Sequence, residues 1–160
     1  MLRSIEYWQK DLEKTAKKLI LRMVQKRWSE SSFFNLEKEL FNGFFAVRKL
    51  IETGEIPNHI HSKKYELVEY PISTKISDLK NTSNSEGFSI KKGIKVKLTA
   101  KEISNQFIHS YYFMPMRPDG LMFGFLICSD YKRESGIYML TTFDVIELFR
   151  CIAGKNGLID

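Results

Sequence analysis

Residues 121–128 read "LMFGFLIC", eight positions without one polar side chain. The run is too short to be a buried helix of ordinary length and suits a strand. Successive side chains of a strand point to opposite faces, so a strand with no polar position needs cover on both sides. Before it stands "RPDG", where Pro118 and Gly120 suit the two ends of a type I turn, and this folds the strand back onto "HSYYFMPM". After it, "YKRESG" leads on to "GIYML". The expected unit is a three-stranded antiparallel meander, and the rest of the chain must supply its cover.

Helical periodicity identifies that cover. From Ser4 to about Trp28, Ile5, Trp8, Leu12, Ala16, Leu19, Ile20 and Met23 recur on one helical face, and Lys10, Lys14, Lys17, Lys18 and Arg22 lie opposite. "SESS" offers Ser31 or Ser32 as the cap of a second helix running to Thr53, where Gly54 ends it. Its stripe of Phe33, Leu36, Leu40, Phe44, Val47 and Ile51 is widened by Phe34, Phe41 and Phe45, so it needs burial on more than one side. Glu37 and Arg48 flank that stripe and require partners or water.

"KYELVEYPI" alternates as a strand, placed at a sheet edge because Pro71 lies in it. Residues 73–87 have the composition of a surface loop. "FSIKKGIKVKL" suggests a hairpin turning near Gly93, with Lys95 and Lys97 on one side of its second arm. Thr99 with Glu102 forms a capping box for a short helix from Ala100 to about Ser110, and Thr141 with Asp144 starts a closing helix that Gly154 terminates. This order predicts one α+β domain over residues 1–160. Two long N-terminal helices precede a mainly antiparallel sheet that includes the C-terminal meander, with one short central and one C-terminal helix.

Charge and cysteine usage narrow the function classes. The net charge of +6 is unevenly spread: residues 1–30 hold eight basic and four acidic residues, and residues 61–101 hold nine and four. No stretch approaches the roughly 18 apolar residues of a membrane span, and the opening residues carry charges where a secretory signal needs an apolar run, which points to the cytoplasm. Cys128 and Cys151 sit in apolar surroundings and fit neither a disulfide framework nor a zinc-ligand spacing. There is no Gly-rich phosphate loop, no GxGxxG after a strand and no GxSxG elbow. No cofactor or metal site is expected. His59 and His61 would form half of one if "HIH" were extended, but no third ligand is near in sequence.

Two sets of residues remain. Glu102, Asn105 and His109 are spaced three and four apart on the short helix, so a carboxylate, an amide and an imidazole share one face where His109 could act as a general base. "SNQFIH", residues 104–109, is similar to the Arg-Asn-x-x-x-His element of HEPN-type ribonucleases, with Ser104 in the place of the arginine. The resemblance implies metal-independent RNA cleavage by His109 and Asn105 on an all-helical bundle. The second set comprises Lys10, Lys14, Lys17, Lys18 and Arg22 with Lys91, Lys92, Lys95 and Lys97, which would contact phosphates without reading bases if they gather into one patch. Tyr111 or Tyr112 would add stacking. The expected function is therefore a non-enzymatic module binding nucleic acid or another polyanion. The alternatives are a ribonuclease-like enzyme using His109, an accessory subunit docking on an acidic protein, or a homo-oligomer joined through the phenylalanine-rich helix.

Overall fold

Ser29, not Ser31 or Ser32, begins the second helix. In the computed structural model, which describes residues 2–72, 92–133 and 135–155, Ser29 Oγ accepts from the Ser32 backbone N–H, and Ser32 Oγ accepts in return from the N–H of Ser29. Helix α1 (Leu2–Val24) stops short of Trp28. The Trp28 indole donates to the Gln25 carbonyl at 2.9 Å, so a side chain replaces the next helical donor. Helix α2 (Glu30–Glu52) then runs antiparallel to α1, with Trp8 against Phe45 near one end and Arg22 against Glu39 toward the other.

A one-turn helix α3 (Asn58–His61) precedes strand β1 (Lys64–Pro71). Strand β2 (Ile94–Thr99) runs into α4 (Ala100–Ile108), which carries the expected Thr99–Glu102 capping box. Strands β3 (Ser110–Met116), β4 (Gly124–Ser129) and β5 (Gly136–Thr141) form the meander, and α5 (Thr142–Ile152) follows, capped by Thr141. The fold is α+β, with all described strand pairs antiparallel in the order β2-β1-β5-β4-β3. No helix among the described residues is long and apolar enough to cross a membrane.

Three expectations change. Strand β1 is interior, between β2 and β5, because Pro71 is its final residue and costs the ladder only a terminal donor. "HIH" is part of a helical turn, so His59 and His61 do not point the same way as they would in a strand. No group of three metal-ligating side chains occurs among the described residues. The turn of "RPDG" is not type I: the Gly120 N–H donates to the Arg117 carbonyl as in any β-turn, but Asp119 and Gly120 both take positive φ. The first arm of the proposed lysine hairpin and the loop at 73–87 lie outside the described residues; within them β2 pairs with β1.

The helices α4 and α5 rest on the sheet, and α1 and α2 pack onto those helices. Phenylalanines tie the layers together. Phe44 of α2 stacks on Phe107 of α4 at 4.0 Å between ring centroids and meets Phe149 of α5 at 4.9 Å. Phe41 reaches Phe113 of β3, which stacks on Phe125 of β4. The stripe expected on α2 is therefore mostly internal, whereas Phe34 and Phe45 remain exposed. All six residues of β4 are buried. Its helix-side residues Phe125 and Ile127 join the main core, and Leu126 and Cys128 join a smaller apolar set with Ile137 on the other face. Around that set, half-buried, lie Tyr70, Tyr111, Tyr112, Met114, Met116 and Met139.

Candidate functional site

The buried side of α1 is formed by Leu12, Ala16 and Leu19. At 100° per residue, Lys10 and Lys14 fall almost diametrically opposite, and Lys17 and Lys18 flank them on either side. All four are exposed, and Tyr7 stands on the same side, 72% exposed. The row spans about 12 Å along the helix axis. Lys17 pairs with the half-buried Glu13 at 3.4 Å, an i,i+4 contact of the kind worth roughly 0.3–0.5 kcal/mol. Arg22 behaves differently. Its Nε and Nη2 reach both oxygens of Glu39 at 3.3 and 3.1 Å, its Nη1 donates to Gln25 at 2.8 Å, and its guanidinium lies over Trp28. Arg22 holds α1 to α2 and is largely withdrawn from solvent.

The mid-chain lysines belong to another surface. Val96 and Leu98 pack into the helix-side core, so Lys95 and Lys97, which alternate with them, project from the opposite face of β2. Lys95 pairs there with Glu66 at 3.2 Å. Helix α1 is on the outer side of the helix layer, so its lysines and those of β2 look out from opposite sides of the protein. The expected gathering into one patch is not met. Lys92 is exposed near the start of β2, and Lys91 lies outside the described residues. Tyr111 and Tyr112 are half-buried on the sheet face away from the helices, where a register shift in β3 between Ser110 and Tyr112 interrupts the alternation, so they do not extend the α1 row.

The second candidate set is also divided. Glu102 is committed to its cap, accepting from the Thr99 N–H at 2.7 Å and the Thr99 hydroxyl at 3.0 Å. Ser104 is fully buried and donates to the Ala100 carbonyl at 2.7 Å, so an arginine could not stand there without displacing the core. Asn105 Oδ1 instead accepts from Arg48 Nη1 of α2 at 3.3 Å, while Arg48 Nε also pairs with Glu52 at 2.8 Å. Beside that contact is a shallow hollow of about 230 Å³ lined by Phe45, Arg48, Lys49, Glu52 and Ile108. His109 caps the C-terminus of α4, its carbonyl accepts from the Asp130 N–H, and its ring meets Tyr131 edge-on at 5.4 Å. The flanking role expected for Arg48 is thus partly that of a partner to Asn105, across 57 positions of sequence that no local pattern could have signalled.

A second polar hollow, about 200 Å³, lies between the long helices and is lined by Asp11, Thr15, Lys18, Asn35, Lys38, Glu39 and Asn42. It is an edge of the α1 surface and mixes both signs of charge. No protein-family model matches the chain, and no curated protein or solved structure matches it either.

Proposed function

We propose that the outer face of α1 binds a polyanion, with the phosphate backbone of a nucleic acid as the ligand class, and that Lys10, Lys14, Lys17 and Lys18 make the contacts. The observation that carries the reading is the exposure of these four side chains opposite a fully buried helix face, with Tyr7 one turn before Lys10 as a stacking surface. A row about 12 Å long suits a few consecutive phosphates. Lys95, Lys97 and Lys92 are not part of it, and Arg22 serves as the brace that orients the helix.

Four phosphate contacts on a single strand imply a slope of log affinity against log salt of about −3, or a loss of about fiftyfold between roughly 50 and 200 mM salt. Fluorescence anisotropy with a labelled oligonucleotide measures this. The triple variant Lys14→Glu, Lys17→Glu, Lys18→Glu should remove binding while the thermal transition stays nearly unchanged, because these side chains lie away from the core. Arg22→Ala should do the reverse, lowering stability and leaving the salt slope intact. Salt-independent binding, or full binding by the triple variant, sinks the reading. Equal displacement by polyglutamate would reassign the surface to an acidic protein.

A ribonuclease reading has one specific observation in its favour. The Arg48 guanidinium donates to Asn105, supplying from α2 a cation that Ser104 cannot supply on α4. Under this reading His109→Ala and Arg48→Ala each abolish RNA cleavage by the folded protein. Full activity of either variant disposes of it.

A further inference from the structure

Lys63, Tyr65, Glu147 and Cys151 form a group that neither reading uses. Lys63 follows α3 at the entrance to β1, and Tyr65 is the second residue of that strand. Glu147 and Cys151 are one turn apart on α5 and share a face. Lys63 Nζ donates to Glu147 Oε1 at 2.6 Å and to Cys151 Sγ at 3.7 Å, and lies 5.1 Å from the Tyr65 ring centroid. Tyr65 is only 3% exposed, and its buried hydroxyl has no hydrogen-bond partner among the described residues. Burial raises its pKa well above the ordinary phenol range, and the neighbouring Cys151 and Glu147 raise it further, so the hydroxyl keeps its proton beside the sulfur. The Lys63 ammonium thus faces a half-buried thiol that lies beside a buried, protonated phenol.

We propose that Cys151 is a thiol–disulfide exchange site whose reagent is a low-molecular-weight disulfide, with Lys63 facing its sulfur as a positioning residue. The Cys151 sulfur attacks one sulfur of the disulfide. A protein–S–S–R bond forms as the original S–S bond breaks, so the Cys151 sulfur is oxidised and the departing sulfur is reduced. The departing group leaves as a thiol carrying the proton that Cys151 released. A cation or donor at hydrogen-bond distance and a path to solvent favour a reactive cysteine. Cys151 has both, whereas Cys128 is wholly buried and donates to the carbonyl of Ser129.

The test exposes the native full-length chain to oxidised glutathione and follows modification by mass spectrometry with peptide mapping. One adduct on Cys151 is expected, faster than on free glutathione under the same conditions, with Cys128 unmodified and thereby reporting an intact fold. Lys63→Met should slow the reaction about three- to tenfold. Glu147→Gln should speed it about threefold, because the ammonium no longer shares its hydrogen bond with a carboxylate. Opposite responses would not arise from a purely structural role. The proposal is overturned if Cys151 reacts no faster than glutathione, or if Lys63→Met leaves the rate unchanged while Cys128 stays protected. Should Lys63→Met expose Cys128, the Glu147→Gln arm decides alone, and a rate that stays the same or falls overturns the proposal.

Discussion

Replacing Gly43 by alanine should destabilise the protein, although the substitution is ordinarily favourable in a helix. Gly43 is buried in the middle of α2, where alanine gains about 0.8–1.0 kcal/mol of intrinsic propensity. A methyl group built there would lie 2.5 Å from both Cε2 and Cζ of Phe149, well inside contact distance. Phe149 cannot swing aside freely, since its ring is fully buried and packs against Phe44. Overpacking of this kind costs about 1–3 kcal/mol. The difference is a net loss of up to about 2 kcal/mol, or a fall of up to roughly 8 °C in Tm for a protein of this size. Urea denaturation followed by far-UV circular dichroism measures it directly, with an unchanged m-value showing that the unfolded state is the same. The mechanism has its own control. In a Phe149→Leu background the methyl has room, so Gly43→Ala should become neutral or stabilising relative to Phe149→Leu alone. If Gly43→Ala stabilises the wild-type background, α2 and α5 do not approach as closely as described, and the layer order built on the Phe44, Phe107 and Phe149 contacts fails with it.

The charge reversals on α1 test the proposed function through the salt slope, the cleavage assays of Arg48→Ala and His109→Ala test its rival, and the glutathione experiment tests Cys151. Alkaline pH gives a further prediction. Burial, with a smaller contribution from Asp130, pushes the Cys128 thiol from 9.0 up to about 12, and burial also raises the phenols of Tyr65, Tyr112 and Tyr138. Each of these groups binds its proton more tightly in the folded state. Their contribution is therefore whole below the unfolded pKa and is lost as pH rises from about 9 toward 12. Urea midpoints measured across that range should fall, and Cys128→Ala should make the fall shallower whatever its effect at neutral pH. A flat profile up to pH 11 would contradict the burial of these groups.

Local sequence carried the element types and most of their ends. Thr99 with Glu102 and Thr141 with Asp144 are separated by less than a turn, so the hydrogen bonds that start α4 and α5 are encoded where they form. Gly54 and Gly154 take positive φ just past the ends of α2 and α5, a conformation that glycine adopts without a Cβ penalty. The eight-residue apolar run implied a strand buried on both faces, and β4 is one. The α2 cap was misplaced because four residues in a row, Ser29 to Ser32, include three serines equally able to cap, and only the geometry of the preceding turn at Gln25 and Trp28 selects among them.

Tertiary structure decided which elements meet. Strand β1 is interior because β5, 65 positions later, comes to its free side, and a residue's own neighbours carry no record of that pairing. The same holds for Arg48 with Asn105 and for Lys63 with Glu147 and Cys151. The two lysine sets show the limit most directly. Periodicity alone established that each is on the outer side of its own element, since a charge cannot be buried without a partner. Which way those outer sides look depends on how the sheet and helix layers stack, and stacking is fixed by apolar surfaces on the opposite side of each element. Sequence thus determined what α1 exposes and what β2 exposes, and packing turned the two exposures away from each other.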